Sequence, residues 1–233
     1  MKLQKKLLIL TAFAIAMGFL ETAVVVYLRD ILYPEGFKFP LSPVSPDLAI
    51  TELLREVATM VMLLTVGALA SRRFSTGFAW FIYCFAIWDI FYYVFLKLIL
   101  GWPGSLMTWD VLFLIPTTWT GPVITPVIVS LTMILLAMVI LVYAERGKSS
   151  RLLGREWILL IAGSLVLILG WIFDYSSYML GHFSPGEMMQ VKNPEVLQVA
   201  TGYIPDSFPW WIFIGAEAVI LTGIGLYLRR VSR

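Results

Sequence analysis

Six runs of apolar residues dominate this chain, near residues 7–28, 48–70, 77–100, 121–143, 157–180 and 209–228. Each is long enough to cross about 30 Å of hydrocarbon as a helix. Inside hydrocarbon no water is available to a backbone N–H or carbonyl, so a crossing segment must satisfy its own hydrogen bonds as a helix or join a closed barrel. Continuous apolar runs of this length select the helix. The expected fold is all-α, a polytopic membrane helix bundle with six transmembrane helices in a single domain over residues 1–233. Composition agrees, because 60% of the 233 residues are hydrophobic and only 14% are charged, against about 25% charged in a typical soluble domain.

The first run has a second reading. "MKLQKKLLILTAFAIAMGFL" carries the basic start and apolar middle of a signal peptide. The run continues past Glu21 through "TAVVVYL" without a small-x-small stop, so a retained helix is expected.

Basic residues set the orientation. Lys2, Lys5, Lys6, Arg72, Arg73, Arg146, Lys148, Arg151, Arg155, Arg229, Arg230 and Arg233 flank the first and last runs or follow the second and fourth, and they are twelve of the seventeen basic residues. The positive-inside rule then puts both termini in the cytoplasm, N-in and C-in, and the multi-pass chain in the cell inner (cytoplasmic) membrane. Trp80 and Trp157 fall near the inner ends of runs, and Trp102, Trp109, Trp119, Trp210 and Trp211 near outer ends, as interfacial belts require. The inner connections "SRRFSTG" and "ERGKSSRLLGRE" are too short for a soluble domain, whereas three long connections face outwards. Function is therefore expected within the bilayer or on its outer side.

The long connections carry local signals. Ser45-Pro46-Asp47 supplies a cap, a proline at the first helical position and an acid in the first turn, so the second helix should start there. Asn193-Pro194-Glu195 repeats the pattern before "VLQVA" and predicts a short surface helix. "VLFLIPTTWTGPVITP" is apolar but broken by Pro116, Gly121, Pro122 and Pro126. It reads either as an interfacial or re-entrant segment over 111–122 or as a kinked start to the fourth helix.

Charges inside the apolar runs are the functional signal. In "TELLREVATM", Glu52, Arg55, Glu56 and Thr59 follow helical spacing and share one face. Glu21 lies in the first run and Arg29 at its outer end, Asp89 and Lys97 in the third with Tyr92 between them, Asp174 in the fifth and Glu217 in the sixth. A charge at the bilayer centre costs about 2.5–3.5 kcal/mol even on the permissive insertion scale, so these side chains should face one another. The expectation is an outward-facing polar, acidic cavity lined by Glu21, Glu52, Arg55, Glu56, Asp89, Tyr92, Asp174 and Glu217, with Arg29 and Lys97 as charge partners or as cations reaching the headgroups. Asp110 reads as interfacial and His182 as a solvated loop residue.

Several chemistries are excluded within one chain. One cysteine, Cys84, and one histidine, His182, supply no disulfide, thiolate metal site, bis-His haem or Ser-His-Asp triad. No metal site and no cofactor are expected. A formal charge of +2 gives no case for nucleic acid as a partner. The expected partners are the lipid bilayer and either other membrane subunits or a homo-oligomer. The leading expectation is binding or transport of a small cation or proton by the acidic cavity. An accessory or assembly subunit of a larger membrane complex is the alternative. A membrane enzyme acting on a lipid-linked substrate, with paired carboxylates as acid and base and an arginine holding phosphate, is a third.

Overall fold

The computed structural model describes residues 2–115, 117–188, 190 and 193–232. Pro116, part of the proline pattern noted above, and Arg233, one of the terminal basic residues, lie outside the described residues. Six long helices form the body: α1 (Leu3–Leu32), α2 (Pro46–Ala70), α3 (Phe74–Leu100), α4 (Ile124–Glu145), α5 (Gly154–Leu180) and, after two short helices, α8 (Trp210–Val231). The short ones are α6 (Pro185–Met188) and α7 (Pro194–Thr201). All six long helices are long and apolar enough to cross a membrane, and the chain is an integral membrane protein of the multi-pass type.

The capping signals act as the sequence requires. Ser45 caps α2, its hydroxyl accepting from the Leu48 N–H at 3.3 Å, with Pro46 in the first turn. Asn193 caps α7 in the same way, accepting from the Glu195 N–H at 3.0 Å. At the other end of α3, Gly101 takes φ +66°, a left-handed conformation that a side chain disfavours, and its N–H closes on the Lys97 carbonyl at 3.1 Å.

The segment read as re-entrant or as a kinked helix start is neither a helix nor a simple loop. Trp109–Phe113 (β1) and Trp119–Pro122 (β2) pair as an antiparallel hairpin, with Asp110 opposite Gly121, Val111 opposite Thr120 and an irregularity between Val111 and Phe113. The all-α expectation is corrected to this extent. Alternating β-branched and aromatic residues favour strands, and Pro122, which lacks an N–H, ends the ladder before α4 begins at Ile124. The expected fourth run, starting at residue 121, loses its first residues to this hairpin.

Helices pack as two groups. α3 packs on α1, α2 and α4, while α5 packs along α8, and α4 joins the groups through α8. Small residues allow the close crossings. A Cβ on Gly163 of α5 would lie 2.5 Å from Ile220 Cγ1 and 3.0 Å from the Ala216 carbonyl of α8, the close backbone approach that small residues permit in membranes. A Cβ on Gly67 of α2 would meet the Gly77 carbonyl of α3 at 2.8 Å.

Polar ties hold together the end that carries both termini. The Arg230 guanidinium donates to both oxygens of the fully buried Glu156 at 2.8 Å each, and Glu156 also accepts from the Leu153 N–H at 2.8 Å. Lys6 Nζ donates to the Ala70 carbonyl at 2.7 Å, fastening the start of α1 to the end of α2. The hairpin lies at the opposite end of the bundle, over the helix ends that carry the intramembrane acids.

Candidate functional site

Two cavities meet beneath the hairpin. The first, about 230 Å³, is enclosed by α1, α2, α3 and the hairpin. Five carboxyl groups, Glu21, Glu52, Glu56, Asp89 and Asp110, and two guanidinium groups, Arg29 and Arg55, line it together with Tyr92 and Tyr93. Helical spacing explains the convergence: Glu52, Arg55, Glu56 and Thr59 form a stripe on α2 that faces Glu21, Val25 and Arg29 of α1 across this space.

Pairing within the cavity is uneven. Arg55 bonds Glu21 through Nη1 and Glu52 through Nε, the latter at 2.8 Å. Arg29 bonds Asp110 at 3.2 Å, and its guanidinium lies 3.8 Å from the Trp102 ring centroid and 4.3 Å from that of Phe37. A guanidinium stacked on two aromatic faces keeps its charge without water, and Arg29 is only 7% exposed. The ion pairs of both cations thus go to Glu21, Glu52 and Asp110, while Arg29 Nη1 is buried without a hydrogen-bond partner among the described residues. Glu56 and Asp89 form no ion pair among the described residues, although the Arg55 charge lies near Glu56. Glu56 Oε2 accepts from the Leu114 N–H at 2.9 Å, which ties the hairpin to α2. Asp89 Oδ2 accepts from the Ser130 hydroxyl at 2.8 Å, which ties α3 to α4.

The second cavity, about 320 Å³, lies between the two helix groups with α4 at its back. Its walls are largely apolar, with Phe81 and Phe85 from α3, Met133 and Leu136 from α4, Leu167 and Trp171 from α5, and Ile220 from α8. Glu217 enters it from α8, with Oε2 accepting from Thr132 at 2.9 Å and Oε1 buried without a partner among the described residues. Trp88, Asp89, Leu112 and Phe113 belong to the walls of both cavities. Asp89 therefore stands on the partition between the polar space and the apolar one.

The residues singled out in the sequence are thus divided. Glu21, Arg29, Glu52, Arg55, Glu56, Asp89 and Tyr92 come together in the polar cavity. Glu217 lines the apolar cleft instead, sharing it with Asp89. Asp174 lies in neither lining, since it accepts from the Tyr203 hydroxyl at 2.5 Å and from the Asp206 N–H at 3.3 Å and so anchors the long return loop. Lys97 caps the end of its own helix, donating to the carbonyls of Gly101 at 2.9 Å and Pro103 at 2.8 Å. His182 is exposed, its Nδ1 3.0 Å from the Tyr178 carbonyl.

Asp110, read as interfacial in the sequence, is enclosed by side chains on the hairpin. It is 2% exposed, bonded by Arg29 and by the Tyr93 hydroxyl at 3.3 Å. It lies on the hairpin, outside the six long helices, and burial pushes its carboxyl up to about 6 against the opposing pull of Arg29, Tyr93 and the Val111 N–H. Ser130 and Thr132, the hydroxyl partners of the two deepest acids, were also unmarked, because a lone hydroxyl in an apolar helix ordinarily bonds its own backbone. No known protein family, curated protein or solved structure matches this chain.

Proposed function

We propose that this membrane protein binds a small cation or proton in the polar cavity beneath the hairpin, with Glu56 and Asp89 as the groups that receive it. The observation that carries this reading is the mismatch in pairing: five carboxyl groups face two guanidinium groups, whose ion pairs go to Glu21, Glu52 and Asp110. A buried carboxylate without a counter-charge is costly. A bound proton or monovalent cation removes that cost, and intramembrane acids commonly serve ion pathways for this reason.

The division of labour follows from the contacts. Arg55 holds Glu21 and Glu52 in place and limits how negative the cavity becomes. Arg29 and Asp110 fix the hairpin side of the wall. Glu56 keeps one oxygen for the Leu114 N–H and has the other for a ligand. Asp89, bonded to Ser130, stands deeper and is the point at which an ion would pass onward if the protein transports. With the basic ends of the helices in the cytoplasm by the positive-inside rule, the cavity faces outwards and collects its ion from the outer side of the cell inner membrane.

Reconstitution into liposomes tests whether binding extends to transport. Flux of protons, sodium and potassium would be followed in protein-containing and empty vesicles, with Asp89→Asn and Glu56→Gln beside the wild type. The reading predicts flux above empty vesicles that both substitutions abolish. Flux indifferent to both would remove these residues from any pathway.

A further inference from the structure

The apolar cleft has a different character from the polar cavity and rests on separate observations. It is bounded at the hairpin end by Leu112, Phe113 and Trp119, and it runs down α3 as far as Phe78, where Phe78 and Trp157 meet with ring centroids 5.0 Å apart. From Asp89 to Phe78 this is a length of about 16 Å at 1.5 Å per residue. A volume of about 320 Å³ falls at the lower end of the range for small-ligand pockets, roughly 300–1,000 Å³.

Three polar groups in this apolar wall have no partner among the described residues: Glu217 Oε1, Trp88 Nε1 and Trp119 Nε1. Glu217 and Trp88 are each 7% exposed. Buried polar groups are normally paired, so each such group calls for an explanation. All three atoms are closed off from solvent, and of the three residues Glu217 carries the one flexible polar group beside the slot. The terminal torsion of a glutamate is broad and roughly two-fold, so the carboxyl can turn either oxygen to the cleft.

We infer that the cleft seats one neutral, hydroxyl-headed single-chain lipid, its tail along α3 and α5 and its hydroxyl at the Glu217 carboxyl. Charge and depth select this occupant. No basic residue lines the cleft, whereas Asp89 and Glu217 do, so an anionic head would be repelled. Glu217 lies about 12 Å along the helix from Pro209, too deep for the bulky zwitterionic head of a membrane phospholipid to follow. A hydroxyl donates to the carboxyl, which a plain alkane or an acyl tail cannot do.

The test uses purified protein in nanodiscs and hexadecanol carrying a photoreactive diazirine in its chain, with labelled positions mapped by mass spectrometry. The expected result is labelling at cleft residues such as Phe81, Met133 and Ile168, suppressed at least tenfold by excess unlabelled hexadecanol and not by hexadecyl phosphate. Ser164→Phe, which fills the cleft from α5, should remove the label, and Glu217→Leu should raise the hexadecanol needed for competition at least tenfold. Labelling that excess hexadecanol does not displace, or that hexadecyl phosphate displaces equally, would show ordinary bilayer contact and overturn the inference. The competition arms use only the wild-type protein, so they decide the matter even if a variant fails to fold. Because Ser164 and Glu217 lie outside the polar cavity, this result is also independent of cation binding there.

Discussion

The Ser130 hydroxyl donates to Asp89 Oδ2 at 2.8 Å, joining α4 to α3 at the wall shared by the two cavities. Hydrogen bonds between membrane helices contribute about 0.6 kcal/mol on average. Ser130→Ala should therefore leave folding almost intact while removing the hydroxyl that orients Asp89. The expected outcome is a melting temperature within a few degrees of wild type and a cation affinity changed severalfold. An unchanged affinity would mean that Asp89 takes no part in binding.

Arg29 and Asp110 form the buried pair that closes the polar cavity at the hairpin. Removing one partner of a buried pair costs about 3–5 kcal/mol, because the other charge is left uncompensated, while replacing both with apolar residues is often close to neutral. Arg29→Met alone should lower the unfolding midpoint in detergent steeply. Arg29→Met with Asp110→Leu should recover much of the loss. Equal damage from the single and the double replacement would count against the pair.

Asp110 also gives a pH signature. Its carboxyl is held at about 6 in the folded protein, above the roughly 3.9 of an exposed aspartate. Between these values the folded state binds more protons than the unfolded state, so stability falls as pH rises. The contribution of this group is complete below about pH 4 and is lost as the pH passes through 6. Infrared titration should show a protonated carboxyl band disappearing with a midpoint near pH 6, absent in Asp110→Asn. A band unaffected by that substitution would assign the titration elsewhere.

How much of this was legible in the sequence differs from element to element. Hydrophobic length located all six long helices because the bilayer fixes the number of apolar residues a crossing needs, and the Ser45 and Asn193 caps fixed two boundaries to the residue. The stripe on α2 was readable from its spacing, and it does face the polar cavity. The hairpin was not, because an apolar stretch interrupted by Gly and Pro has no periodicity that separates a strand from a broken helix. Glu217 was grouped with the other acids by depth alone. Which face of α8 meets which neighbour depends on packing: Gly163 of α5 meets Ile220 and Ala216, while Glu217 lines the cleft and bonds Thr132 of α4.

That crossing is itself open to test. Gly163→Ala places a methyl group where Ile220 Cγ1 lies 2.5 Å away, and overpacking a close contact typically costs about 1–3 kcal/mol. The variant should unfold earlier in detergent, and adding Ile220→Ala should restore part of the loss. The Ala216 carbonyl at 3.0 Å keeps the rescue partial.

Glu56 fastens the hairpin through the Leu114 N–H at 2.9 Å, so the acid proposed to receive the ion and the roof of the cavity are coupled. Glu56→Gln retains an acceptor oxygen, while Glu56→Ala does not. Hydrogen exchange over residues 109–122 should stay near wild type in the first and accelerate at least tenfold in the second. Equal exchange in both would show that the hairpin is held by its other contacts.

The most direct test of the central claim is calorimetric titration of the protein in nanodiscs with sodium, potassium and calcium chloride at several pH values. Binding in the polar cavity predicts a saturable heat from at least one cation, weakening as pH falls because protons compete for the same carboxylates, and lost in Asp89→Asn and Glu56→Gln. The absence of a saturable heat from every cation, together with no proton uptake across the same pH range, would contradict it.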